Sequence, residues 1–260
     1  LTVDLNGNLL AGTAGGNLHI SYNGGIDWTL LNGSMTVGII WDVAVGSNGY
    51  IYLATEQGIF VSMDGGSNWI GPMGGLIYGV NAIEIDPVSG DIYAAVWGFG
   101  IYKSVNNGTS WTQVNAGLTN TVVNSLSITT GGVIFAGTYG GGIYVSLNGG
   151  ASWSTSTLQT TFVWDLEVTS TGYVYVATYG AGVYRSGDNG MSWEVINAGL
   201  DGHYVYGIAV NANDEVYVST WTGGVFRLGG SMPKTPSGEE EVVSSVWEPM
   251  GMSGLGINTC

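Results

Sequence analysis

The sequence predicts an all-β fold: a six-bladed β-propeller of four-stranded antiparallel blades, closed by pairing of the N- and C-terminal segments. Three observations predict it. A Ser-x-Asp/Asn-x-Gly-x-x-Trp pattern recurs five times in phase, a short apolar segment recurs six times around it, and Gly occurs 46 times with no stretch of helical periodicity. Four short strands and three tight turns in a repeat of about 42 residues make one propeller blade. The glycine content and missing helical period exclude an α-solenoid of similar repeat length.

The five patterns, or boxes, run from Ser21 to Trp28, Ser62 to Trp69, Ser104 to Trp111, Ser146 to Trp153 and Ser186 to Trp193, with their tryptophans 41, 42, 42 and 40 residues apart. The same frame surrounds each. A first strand alternates polar and apolar residues, as in 81–86. A polar turn then leads to an apolar second strand, as in 92–96, with equivalents at 8–13, 50–55, 133–138, 173–178 and 215–220. A Gly-rich turn and a short third strand such as 101–104 follow. The box is the turn into the fourth strand. Its Asn23, Asp64, Asn106, Asn148 or Asp188 side chain can accept backbone N–H groups, and the Ser hydroxyl can close the local hydrogen-bond network. The Trp opens the fourth strand, where a large ring fills the space against a neighbouring strand or blade. The boxes therefore read as structural staples.

The sixth repeat departs from the frame. Residues 229–245, with Met232-Pro-Lys-Thr-Pro236 and Glu239 to Glu241, replace the box and read as an exposed loop inserted in the last blade. The segment from Trp247 to Gly251 then echoes Trp69 to Gly74 and predicts a surviving fourth strand. Ile257-Asn-Thr-Cys260 matches the start of a first strand, while Leu1-Thr-Val-Asp4 matches its second half. Joined, they complete one blade, which predicts a single domain over 1–260 with no open sheet edge. The competing expectations are a piece cut from a longer array, or a filament whose subunits share that strand.

Composition bounds the chemistry. Hydrophobic residues make up 45% and charged residues 9%, enough apolar material for a sizeable core. Four Lys plus Arg against nineteen Asp plus Glu give a formal charge of −15, which repels phosphate backbones and argues against nucleic acid as a partner. No apolar run approaches the roughly 20 residues that cross a bilayer, so no membrane insertion is expected. The one cysteine, Cys260, excludes an intrachain disulfide and a thiolate metal cluster. Abundant Gly, Ser, Thr, Asn, Tyr and Trp with little Lys predicts an extracellular or cell-surface protein.

The boxes in phase with propeller strands resemble those of the Asp-box, or BNR-repeat, propellers, a group that includes sialidases, other glycoside hydrolases and many secreted propellers. The resemblance implies an interior lined by first strands, with the boxes on the face opposite any active site. Sialidases use three arginines to clamp the substrate carboxylate, a Tyr/Glu nucleophile pair and an acidic Asp. Here only Arg185 and Arg227 exist, both on third strands at or near the box turn. The sialidase set is therefore incomplete.

Other glycosidases need two carboxylates across the scissile bond. Asp42 and Asp165 are the candidates, since each follows a Trp at the start of a first strand, in blades two and five. Opposite placement on a six-bladed ring predicts a separation beyond the roughly 6.5–9.5 Å of inverting enzymes. The bland alternative is that both hydrogen-bond neighbouring backbone. His19 and His203 lie too far apart in the repeat for a shared metal, and Asp86 to Asp91 reads as a hairpin turn, so neither metal nor cofactor is expected. The turns after second strands supply Trp97, Tyr139, Tyr179 and Trp221, facing Trp41, Trp164, Tyr204 and Tyr206. They predict an aromatic rim for a glycan or a peptide, or else rings packed between blades. The resulting expectation is a non-catalytic binding or assembly module, with a glycoside hydrolase as its rival.

Overall fold

The computed structural model describes residues 1–33, 35, 37–159, 162–200, 204–229 and 246–250. They form six antiparallel sheets arranged in sequence order, the blades of a six-bladed propeller. Blade one comprises Thr2–Val3, Leu9–Gly12, Leu18–Ser21 and Thr29–Leu30. The first strands of the next five are Ile40–Val45, Val80–Ile85, Val123–Ile128, Val163–Val168 and Val205–Val210. Blade two is the exception: three strands, with the fourth reduced to a bridge between Val61 and Ile70. In the sixth blade Val246–Pro249 pairs with Gly224–Gly229, so the fourth strand is present there. The inserted loop at 230–245 and the C-terminal half of the expected closing strand lie outside the described residues.

The second strands are apolar on both faces because both are covered. Ile51–Thr55, Ile92–Val96, Ile134–Thr138 and Val174–Thr178 are buried at every position. Their side chains enter cores between neighbouring blades, such as Tyr93 and Ala95 of blade three, which with Ile101 of the third strand pack in one cluster with Leu126 and Trp153 of blade four. Burying each such Ile or Leu stabilises the ring by about 1.5–3 kcal/mol.

In all five boxes the Ser hydroxyl donates to the Asn or Asp side chain, at 2.8 Å from Ser62 to Asp64 and 2.9 Å from Ser104 to Asn106. That side chain in turn accepts the N–H four residues ahead, at 2.8 Å from Asn68 to Asp64 and 2.9 Å from Ser192 to Asp188. These bonds pull the pKa of Asp64 and Asp188 down. Four of the five box tryptophans divide into two groups, and the Trp111 indole N–H has no acceptor. Trp28 and Trp69 donate to carbonyls of their own turns, Gly25 and Gly66, both at 3.0 Å. Trp153 instead reaches the preceding blade and donates to the Val114 carbonyl at 2.7 Å, and Trp193 to the Ser156 hydroxyl at 2.7 Å.

One motif escapes a reading that stops at the boxes. Asn115-Ala-Gly-Leu118 and Asn197-Ala-Gly-Leu200 occupy equivalent positions after fourth strands. Asn115 accepts from Ile101 N–H at 2.8 Å and donates to the Phe99 carbonyl at 2.7 Å. Asn197 does the same with Val183 and Ala181. The Ala116 and Ala198 carbonyls accept the backbone N–H of Trp153 and Trp247, each at 2.7 Å. Each motif thus ties one blade to the next.

Candidate functional site

Antiparallel order puts the starts of first strands and the ends of second strands at one end of every blade, with the boxes at the other. Two register positions at this end generate the site. The first is the repeat position just after the second strand: Ala14, Glu56, Trp97, Tyr139, Tyr179 and Trp221 from blade one to blade six. The second is the residue after the opening residue of each first strand, where all five described ladders from blade two onward shift register. It carries Trp41, Asn81, Asn124, Trp164 and Tyr206. A bulge re-aims side chains. At this one it places large rings and amides, all of which line one cavity.

The rings form a continuous arc on blades three to six. Trp97 approaches Tyr139 at 6.5 Å between centroids, Tyr139 approaches Phe162 at 4.4 Å, and Phe162 approaches Tyr179 at 6.2 Å. From Tyr179 the arc continues to Trp164 at 6.2 Å, on to Tyr206 at 5.3 Å and to Trp221 at 5.4 Å. Tyr204 lies against Tyr179 at 5.8 Å. These rings touch one another and also face outward: Trp97 is 52%, Tyr139 49%, Tyr179 53% and Trp221 73% exposed. On the side of blades one and two, Ala14 and Glu56 replace the aromatic residue, and the arc opens.

Inside the arc lies a funnel of about 1360 Å³. Trp41, Trp97, Tyr139, Trp164 and Tyr206 line its wall, joined by Tyr78 and Phe99, which stack at 4.5 Å. Tyr179 and Trp221 belong to the arc without lining the cavity. The floor is acidic. Asp42, Glu84, Asp165 and Glu167 all line it, Glu56 stands at its edge, and no lysine or arginine is among the lining residues. Strand alternation explains the set, because Glu84 follows Ala82 by two residues and Glu167 follows Asp165 by two, so each pair shares a face.

Burial among protein atoms raises the pKa of all four floor carboxyls, and neighbouring carboxylate charges add to it for Glu84, Asp165 and Glu167. Desolvation pushes Asp165 up to about 6, against N–H bonds from Ile208 and Leu166 and a hydroxyl bond from Ser125, while the Asp42 charge pushes the same way. Glu167 is pushed up to about 8 by burial and by Asp165 and Asp42. Glu84 is raised well above the usual carboxylate range by burial and by the Glu167 and Asp42 charges. Asp42 is raised by burial, with N–H bonds from Ile83 and Val43 in opposition.

Asp42 and Asp165 are held alike. Asp42 accepts Ile83 N–H at 3.0 Å and Val43 N–H at 2.8 Å. Asp165 accepts Ile208 N–H at 2.9 Å, Leu166 N–H at 2.9 Å and the Ser125 hydroxyl at 3.1 Å. Both oxygens of each carboxylate are therefore engaged, one of them across a blade boundary in Asp42 and both in Asp165, which reaches blades four and six. Among the described residues, no three His, Cys, Asp or Glu side chains come together so as to hold a metal ion. Arg185 pairs with Glu194 at 2.7 Å, and Arg227 lies 3.5 Å from Glu215, both outside the funnel. His19 sits on the third strand of blade one, and His203 lies outside the described residues. Asp86 accepts the Val88 and Ser89 N–H groups of its own turn, as a hairpin does. Glu84, Glu167, Phe162 and Tyr78 are site residues that a reading of the strand starts alone passes over. Counting two residues further along each first strand finds the two glutamates.

A scan against protein-family models gives no match, and a search of curated proteins gives none. Solved structures share the fold. An ancestral GH74 enzyme superposes with a TM-score of 0.71 at 18% identity, over 86% of this chain and 35% of that one. YCF48 bound to D1 peptide superposes with a TM-score of 0.64 at 20% identity, over 81% of this chain and 70% of that one. The GH74 xyloglucanase from Xanthomonas campestris gives 0.66 at 16% identity, over 85% and 42%. The chain thus spans about a third of the ancestral enzyme's length. What it shares with all three is the β-propeller fold.

Proposed function

We propose that this chain is a non-catalytic binding or assembly module of the Asp-box propeller type, working outside the cell, that holds a partner across the aromatic arc. The arc itself carries the reading. Soluble proteins rarely leave so many large rings in one contiguous exposed patch unless something covers it. Aromatic faces above a polar floor suit an extended chain with apolar surfaces and polar edges. The engagement of both oxygens of Asp42 and Asp165 in backbone clasps supports a structural and ligand-facing role for them. A propeller neighbour, YCF48, whose structure is described as bound to a peptide, supports protein recognition on this architecture.

One observation favours a second reading, a glycoside hydrolase using Asp42 and Asp165. A carboxyl held near pH 6, as Asp165 is, has the acidity of a general acid. The two readings separate on substitution. Trp97→Ala with Tyr179→Ala abolishes retention on a peptide and glycan array if the arc binds, and no arrayed glycan is then turned over either by the parent chain or by Asp42→Asn with Asp165→Asn. Turnover of any arrayed glycan by the parent chain, lost in the Asn variant, overturns the binding reading.

A further inference from the structure

We propose that the occupant of the arc and funnel is a segment of polypeptide carrying lysine or arginine side chains, one of which enters the acidic floor. The inference rests on the binding role proposed above and adds the chemistry of the partner. Charge complementarity selects it. The wall is aromatic, the floor and edge carry five carboxyls, and no lysine or arginine lines the cavity to balance them. Every arginine and lysine among the described residues is placed elsewhere: Lys103 pairs with Asp91 at 2.8 Å, Arg185 with Glu194, and Arg227 lies beside Glu215 and Glu248. No lysine or arginine side chain therefore balances the floor; the Leu1 α-amino group, which also lines the cavity, is a single positive charge set against its carboxyls.

A basic side chain fits both parts of the site. Its alkyl stem and cationic head lie well on Trp and Tyr faces, and its head meets carboxylates at the bottom. A bare metal ion is a poor alternative, since no three ligating side chains come together. A neutral glycan leaves the crowded carboxyls without a counter-charge. A polyanion meets repulsion from the floor and from a chain of net charge −15. The opening of the arc at Ala14 and Glu56 lets an extended segment enter from blades one and two, past a further carboxylate. Entry of a cation also lowers the raised carboxyl pKa values of Asp165 and Glu167, so binding near neutral pH releases protons.

The test uses the full chain and a dye-labelled Lys-Ala repeat peptide, followed by fluorescence anisotropy at low salt. A Gln-Ala repeat and a cello-oligosaccharide serve as neutral probes. Two double variants each replace two carboxyls, on opposite faces. Glu84→Gln with Glu167→Gln alters the floor, and Asp64→Asn with Asp188→Asn alters two boxes, where Asn already stands in the other three. The expected result is binding of the Lys-Ala peptide that weakens about tenfold, one charge interaction, in the floor variant and stays within about twofold in the box variant. The Gln-Ala probe binds at least tenfold more weakly to the parent. Equal losses in both double variants overturn the proposal, because binding is then diffuse attraction to an acidic surface. Preferential binding of Gln-Ala or of the sugar, sensitive to Trp97→Ala, overturns the cationic occupant and leaves the binding role standing. Failure of every probe on the folded parent sinks both. Circular dichroism confirms folding of each variant first, and calorimetry in buffers of different ionisation enthalpy reads the proton release independently.

Discussion

The carboxylate of Asp165 in blade five accepts the backbone N–H of Ile208 in blade six at 2.9 Å, across the boundary between two sheets. Asp42 does the same to Ile83, from blade two to blade three, at 3.0 Å. The boundaries between use the opposite polarity: Asn81 donates to the Val123 carbonyl at 3.2 Å and Asn124 to the Val163 carbonyl at 2.9 Å. The inner strands of neighbouring blades share no ladder of their own, so these side chains supply hydrogen bonds where the backbone leaves a gap. Residues that look catalytic by type thus join the ring from blade two to blade six.

The clasp yields the first prediction. Asp165→Ala strands the N–H of a buried residue, Ile208, and is expected to cost about 1–3 kcal/mol of unfolding free energy. Asp165→Asn keeps an acceptor and removes a charge that burial penalises, and is expected to stay within about 1 kcal/mol of the parent. Urea denaturation at neutral pH measures both. An Ala variant as stable as the Asn variant removes the clasp from the account.

Stability should fall as pH rises from acid toward mildly alkaline conditions. Glu167 is pushed from 4.5 to about 8 in the folded chain, so between those values the folded state holds a proton that the unfolded state has released. The folded state then binds more protons, and unfolding free energy decreases with rising pH. Glu84 is displaced in the same direction. With solvent screening from the funnel, the decline between about pH 5 and pH 9 is expected to be on the order of 2 kcal/mol. Glu167→Gln should flatten it and stabilise the chain at the alkaline end. Asp64 and Asp188, whose pKa values are lowered, act oppositely and only in acid, where their contribution disappears as pH falls through the folded values. Melting temperatures across the pH series, for parent and variant, check the sign.

The box tryptophans give a contrast within one motif. Trp153 is buried and its indole N–H bonds to Val114 in the preceding blade, whereas the Trp111 indole N–H is shielded from solvent and has no acceptor. Phe replaces either ring with similar loss of volume. Trp153→Phe also removes a hydrogen bond and should cost about 1–2 kcal/mol more than Trp111→Phe, which relieves an unpaired donor. Equal destabilisation of the two variants, measured by chemical denaturation, contradicts the inter-blade role of the indole.

The architecture was legible because it is repetitive. Five in-phase boxes and six apolar second strands report one physical unit several times over, so blade number and strand order survive the loss of any single signal. The rim aromatics were legible for the same reason, since Trp97, Tyr139, Tyr179 and Trp221 occupy one register position. Glu84 and Glu167 were less so. Each occurs in a strand whose equivalents carry Ala44, Ser127 or Ala209, and a residue that differs from blade to blade has no period to betray it. The reduced fourth strand of blade two was hidden too, since its box and Trp69 follow the pattern and only the Ile70-Gly-Pro72 sequence after them departs.

The blade-joining turn at Gly117 offers the sharpest stability test. Gly117 has φ of +86°, and a Cβ placed there would lie 2.1 Å from the Trp153 carbonyl oxygen, a backbone atom. Gly199 repeats the relationship, at +89° and 2.3 Å from the Trp247 carbonyl. Left-handed backbone costs a non-glycine residue about 1–2 kcal/mol, and the clash adds to it because the Trp153 strand must move away from Ala116, to which its N–H is bonded at 2.7 Å. Gly117→Ala is therefore expected to lose at least about 3 kcal/mol. Gly132, also at positive φ with nothing within 4 Å of its Cβ position, should lose only the backbone part, about 1 kcal/mol, as Gly132→Ala. Urea midpoints of the two variants separate strain from collision. A Gly117→Ala chain no less stable than Gly132→Ala means that the blades can part at this turn without cost, and that the joint is not where their contact is held.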